Sequence, residues 1–168
     1  MSFHSMITFG NDWFTFCILF ITIIALLLFS NYLLNLQKLS PDNNRRLVHL
    51  IAGILMSASP LIFSNTIQPI FLAIIFIIIN TATINNDSFK GIHSQERLSY
   101  GTILFPISYL LLILFFWDYT EYLIISLLIL AICDPLAAQS GQLATNQNKF
   151  IIWNDNKTII GTIAFFFS

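Results

Sequence analysis

The sequence predicts an all-α fold: a polytopic bundle of membrane-spanning helices, one domain over residues 1–168, with five full spans and an incomplete sixth. Three observations predict it. First, 57% of the 168 residues are apolar and 9% are charged, where a soluble domain carries about 25% charged residues; the mean hydropathy is +0.80. Second, the charges form short islands separated by uncharged runs long enough to cross a bilayer. Third, all seven Lys and Arg residues fall in alternate connections between those runs.

The first run lies between Asp12 and Lys38, 25 residues without a charge, and a hydrocarbon core of about 30 Å needs roughly 20. It predicts a span over 13–37. That run is too long, and lacks the preceding basic segment, for a cleavable leader. Between Arg46 and Asp87 lie 40 residues without Asp, Glu, Lys or Arg, interrupted by Ser57-Ala58-Ser59-Pro60 and Ser64-Asn65-Thr66. The interruption divides them into helices over 47–63 and 67–84. A fourth span covers 99–117, and a fifth covers 122–139, carrying the acid Asp134 and then Pro135. Proline lacks an N–H and crowds the preceding turn, so regular helix is expected to fail near Asp134 and leave carbonyls free. The sixth run, 159–168, has ten residues and covers about 15 Å, half a bilayer. It predicts a truncated chain, or a helix that enters without crossing.

Lys38, Arg45, Arg46, Lys90, Arg97, Lys149 and Lys157 all follow the first, third or fifth span. The positive-inside bias then puts those three loops in the cytoplasm and the N-terminus outside, with Trp13, Trp117 and Tyr119 at the outer interface. A net charge of −1 gives no field to gather DNA, RNA or acidic substrates, so no nucleic-acid partner is expected. Cys17 and Cys133 both sit in apolar runs, which argues against a secreted disulfide scaffold.

Four polar clusters border the predicted cytoplasmic face. In Arg45-Arg46-Leu47-Val48-His49, the basic residues stand four and three positions from His49 and share a helical face with it. They either anchor topology or grip phosphate with guanidinium forks. The loop from Asn85 to Leu98 holds Asp87, Lys90, His93, Glu96 and Arg97 and leads into Ser99-Tyr100-Gly101-Thr102. Ser99 suits a helix cap and Gly101 a packing notch, while Glu96 can pair with Arg97 or Lys90. Asp134 is the sharpest residue, because an intramembrane carboxylate costs at least about 2.5–3.5 kcal/mol and is normally functional or paired. Near free carbonyls at a wet rim it suits Mg²⁺; the alternative is an ion pair, with Lys157 as partner. Lys157-Thr158-Ile159-Ile160-Gly161-Thr162 opens the sixth helix, where an N-terminus attracts anions, although capping by Thr158 explains the string equally well. It is not a Walker A loop.

Taken together, Arg45-Arg46-Leu47-Val48-His49, Ser99-Tyr100-Gly101-Thr102, Asp134-Pro135-Leu136-Ala137-Ala138 with Gly141, and Lys157-Thr158-x-x-Gly161-Thr162 resemble, in order, the polyprenol kinase family (dolichol, phytol and farnesol kinases), which is related to the CTP:phosphatidate cytidylyltransferases. The resemblance covers the chain from about Arg45 onward. It implies an integral membrane enzyme that uses CTP and a divalent cation, usually Mg²⁺, on a lipid substrate. It implies further that Asp134 binds the metal, that Lys157 and Thr158 hold phosphates, and that Arg46 and His49 line the same pocket. Arg45, Ser99, Gly101, Thr102, Gly141, Gly161 and Thr162 complete the expected nucleotide site, and Asp134, Lys157 and His49 are the expected catalytic group. For the general base, His49, His93 and Asp134 stay open. Gln142 and Thr145 stand where the family often has a basic residue and a glycine.

The expected reaction is CTP-dependent phosphorylation of a long-chain isoprenoid alcohol. The alternatives are cytidylyl transfer from CTP to phosphatidic acid, and a non-catalytic membrane protein or transporter fragment in which Asp134 serves an ion pathway.

Overall fold

The computed structural model describes residues 11–84, 101–143, 149–152 and 155–168. In chain order these form α1 (Asp12–Asn35), α2 (Pro41–Ser57), α3 (Ser59–Ile62), α4 (Ile67–Ile84), α5 (Gly101–Phe116), α6 (Thr120–Leu143), β1 (Lys149–Ile152), β2 (Asp155–Thr158) and α7 (Ile159–Phe167). Among the described residues three stretches are long and apolar enough to cross a membrane: α1, the α2–α3 pair over Pro41–Ile62, and α6. Ile67–Ala82 and Ile103–Phe116 are apolar but shorter.

Each boundary has a local cause. Asn11 caps α1, its Oδ1 accepting from the Trp13 N–H at 3.0 Å. The far end of α1 closes in a Schellman turn: the Gln37 N–H donates to the Leu34 carbonyl at 2.9 Å and the Lys38 N–H to the Leu33 carbonyl at 3.2 Å. Gln37 takes the left-handed conformation this requires, with φ of 54°. Ser40 then caps α2, accepting from the Asn43 N–H at 3.3 Å, with Pro41 in the first turn. Helix therefore begins before the uncharged run predicted over 47–63, because capping chemistry rather than hydrophobicity sets its start. The helix predicted over 47–63 is broken at Ala58, inside Ser57–Pro60, since Pro60 cannot donate to the turn before it.

Two expectations are corrected. Helix α6 runs unbroken through Pro135 to Leu143, past the predicted end at 139. A helix in apolar surroundings with packed neighbours tolerates proline, because leaving its turn would expose more backbone than proline alone leaves unbonded. The connection between the runs predicted over 122–139 and 159–168, where no regular element was expected, contains an antiparallel hairpin, in register Lys149↔Thr158, Phe150↔Lys157, Ile151↔Asn156 and Ile152↔Asp155.

The core lies where α5 packs between α4 and α6, with α1 against α4 and α2 against α6: Leu72, Tyr109, Ile113, Leu123 and Leu127 are fully buried. Outward-facing positions are just as apolar. Phe115 is 71% exposed and Phe167 is 88% exposed, a surface suited to lipid rather than water. Outward hydroxyls turn onto their own helix: Thr22 donates to the Ile18 carbonyl at 2.8 Å and Thr81 to that of Ile77 at 2.7 Å.

The ends of the bundle are tied differently. At one, the Asp12 carboxylate accepts from the Ser64 N–H, the Ser64 hydroxyl and the Asn65 side-chain amide, all within 3.3 Å. This puts the start of α1 beside the α3–α4 turn. At the other, the ends of α1 and α6 meet the start of α2, through Asn44 Nδ2 donating to Ser30 Oγ at 2.6 Å and Gln142 Nε2 donating to Asp42 Oδ2 at 3.1 Å. Lys38, Arg45, Arg46, Lys149 and Lys157 belong to that second end.

Candidate functional site

The start of α2, the last turns of α6 and the start of α7 converge there. Helices α2 and α6 run antiparallel with little slip, for Gly53 faces Ala131 and Asp42 faces Gln142, the two contacts lying eleven residues apart on each helix. The approach is close at Gly53, where a side-chain carbon would overlap the Ala131 methyl and come within 3.2 Å of its Cα. Small residues let membrane-type helices touch backbone to backbone in this way.

Closer to that end, His49 is half-buried and edge-on to Phe105, with ring centroids 4.6 Å apart. Its Nε2 lies 3.2 Å from the Leu130 carbonyl oxygen. A carbonyl only accepts, so Nε2 carries the proton and Nδ1 is the basic nitrogen of the neutral ring. Asp134 stands one helical turn beyond Leu130 on α6, exposed, and its charge is felt at both His49 and Arg46. Arg46 donates from Nη1 to Asn43 Oδ1 at 3.2 Å, while its Nε is buried with no hydrogen-bond acceptor among the described residues. Asp42, Arg45, Arg46, His49 and Asp134 thus form one electrostatic neighbourhood.

Helix α7 joins through glycines. Gly141 on α6 and Gly161 on α7 meet, and a Cβ on Gly161 would lie 2.9 Å from the Ala137 carbonyl oxygen and 2.9 Å from Thr158 Oγ1. A Cβ on Gly141 would overlap Thr158 Oγ1. Thr158 is the N-cap of α7: its Oγ1 accepts from the Gly161 N–H at 3.1 Å, and its carbonyl accepts from the Thr162 hydroxyl at 3.2 Å. The side chain of Lys157 is exposed on β2, directly before that cap.

Of the residues singled out by sequence, Arg45, Arg46, His49 and Asp134 come together between α2 and α6, and Gly141, Lys157, Thr158, Gly161 and Thr162 come together where α6 meets α7. Gly101 and Thr102 open α5. Asp87, Lys90, His93, Glu96, Arg97, Ser99, Tyr100 and Thr145 lie outside the described residues.

Asn43, Asn44, Ser30 and Gln142 were not singled out for contacts, yet they supply most of the hydrogen bonds at this end. The available signal was polarity out of place: Ser30-Asn31 inside an apolar run, and an Asn pair directly before two arginines. Among the described residues no three His, Cys, Asp or Glu side chains gather as a metal cluster. Asp42 and Asp134 are the carboxylates whose charges reach Arg46, and carboxylate oxygen is the donor type a hard divalent cation takes. Both cysteines are free thiols. No protein-family model, curated protein or solved structure matches the chain.

Proposed function

We propose that the chain is a polyprenol kinase-like integral membrane enzyme that transfers the γ-phosphoryl group of CTP to a long-chain isoprenoid alcohol at the rim of the bilayer. The reading includes five spans, a short sixth helix, the N-terminus outside and the polar end of the bundle in the cytoplasm. One observation carries it: the Arg46 Nε is buried without an acceptor inside the electrostatic reach of Asp134. An unused guanidinium donor beside an exposed carboxylate is what a phosphate chain and its counter-ion require, because phosphoryl transfer rests on positioning and charge neutralisation.

In this reading Arg46, Arg45 and Lys157 neutralise the phosphates, and the start of α7 presents its N-terminal dipole to them. Asp134 holds a divalent cation, whose chemistry is to offset charge on the phosphate oxygens. His49 is positioned by Leu130 and Phe105 so that Nδ1 can take the proton of the lipid hydroxyl. Gly141 and Gly161 set how closely α7 approaches, and Gly101 and Thr102 bring the start of α5 to the same end. The lipid alcohol enters sideways from the membrane, its hydroxyl at the polar end.

The test is purified full-length protein in lipid, supplied with the alcohol or with phosphatidic acid, and with CTP labelled at the α or the γ position. Lipid labelled only from the γ position is the expected result. Label only from the α position overturns it in favour of cytidylyl transfer. No transfer together with no CTP binding overturns both, leaving a non-catalytic membrane protein.

A further inference from the structure

Nucleotide chemistry accounts for the hairpin between α6 and α7 at Lys157 and leaves β1 without a role. Two strands of four residues each are marginal in water without a third strand or a covering helix. Here Ile151 remains 73% exposed and Phe150 remains 36% exposed. Its position is nevertheless fixed. Helix α6 leads to it from the membrane-crossing side, and β2 passes without a linker into α7, whose residues are apolar apart from Gly161 and Thr162. A strand joined directly to such a helix sits at the edge of the hydrocarbon.

The register adds the charge pattern. Lys149 and Ile151 stand two apart on β1, opposite Thr158 and Asn156, and so share one face of the hairpin, while Phe150 and Lys157 pair on the other. The Lys149 side chain is exposed. An exposed aliphatic residue beside a lysine on one face at a bilayer edge is the combination that rests an apolar group at the acyl boundary and an ammonium group among phosphates.

We infer that the β1–β2 hairpin is a membrane-surface foot that binds the anionic headgroup layer through one face of β1, with Ile151 at the acyl boundary and Lys149 among the lipid phosphates. This rests on α6 crossing the membrane and not on CTP chemistry, so it can fail while the kinase reading stands, and the reverse. Its occupant is the bilayer around the protein rather than a soluble ligand.

The experiment places a nitroxide at Ile151→Cys in a chain carrying Cys17→Ser and Cys133→Ala. That chain is reconstituted in phosphatidylcholine with and without phosphatidylglycerol. Collision with oxygen, which concentrates in lipid, is compared with collision with a water-soluble nickel chelate. The label is expected on the oxygen-rich, nickel-poor side, and further so with phosphatidylglycerol. Lys149→Glu is expected to cut the anionic-lipid partition about fivefold or more, the weight of a lysine near such a surface. A label open to nickel in both bilayers overturns the proposal. One shielded from both reagents overturns it in favour of a second copy of the chain. A lipid-embedded label indifferent to phosphatidylglycerol and to Lys149→Glu overturns the headgroup assignment. Hydrogen exchange on the unaltered protein in the same bilayers guards against misfolded variants: β1 amides should exchange more slowly with phosphatidylglycerol, and equal rates also overturn the proposal.

Discussion

His49 reaches across from α2 to place Nε2 3.2 Å from the main-chain oxygen of Leu130 on α6, one turn before Asp134. A side chain of one helix is thereby fastened to the backbone of another at the level where the acid emerges. Interhelical hydrogen bonds in lipid average about 0.6 kcal/mol, and the edge-on contact with Phe105 adds about 0.5–1.5 kcal/mol. His49→Ala should therefore lower stability by about 1–2 kcal/mol, read from unfolding in mixed micelles. An unchanged midpoint would show that the bond contributes nothing.

Asp134→Asn should behave in the opposite way. The residue is exposed on α6, so its unfolding midpoint should stay within about 0.5 kcal/mol of the parent. Transfer of γ-label from CTP to lipid should be abolished. A variant that retains transfer would remove Asp134 from the chemistry.

Gly53→Ala forces a methyl into the Ala131 methyl, and overpacking of this kind costs about 1–3 kcal/mol. Ala131→Gly should restore most of that loss in the double variant. A cycle in which the two effects simply add would mean that the helices part here without penalty.

At the start of α7 the cap and the close approach share one atom, Thr158 Oγ1. Thr158→Ala removes the acceptor for the Gly161 N–H and should cost about 0.5–2 kcal/mol, while Thr158→Ser should keep most of it. Gly161→Ala pushes against both the Ala137 carbonyl and the capping Thr158 Oγ1. It should speed hydrogen exchange in α7 while leaving α4 and α5 unaffected.

Gln37 holds a left-handed conformation, φ 54°, that costs a residue with a Cβ roughly 1–2 kcal/mol. Gln37→Gly should raise stability by up to about 1 kcal/mol, and Gln37→Ile should lower it, both read from the same unfolding curves.

The helical segments were legible because charge is so costly in hydrocarbon that its absence marks a helix almost by itself. The same criterion missed the helix ends. Asp42, Asn43 and Asn44 lie inside α2, and Gln142 inside α6, since polar residues at a bilayer rim can be helical without being apolar. The hairpin was missed although Phe150-Ile151-Ile152-Trp153 is rich in β-forming residues and Asn154-Asp155 suits a turn. Beside six apolar runs, so short a signal reads as loop. Of the site, the shared face of Arg46 and His49 followed from their spacing on one helix, while their grouping with Asp134 came only as what the family resemblance implies. That Gly53 faces Ala131, and that Leu130 offers a carbonyl to His49, depends on the rotation of α2 about α6, which no local pattern encodes.

The grip of Asp12 on Ser64 and Asn65 spans 53 positions of sequence. During synthesis the first helix emerges long before the residues that complete this clasp. The clasp closes only once the second hydrophobic stretch has turned back toward Asp12. Removing the carboxylate would therefore be felt first as slow or faulty assembly, and only afterwards in the finished protein.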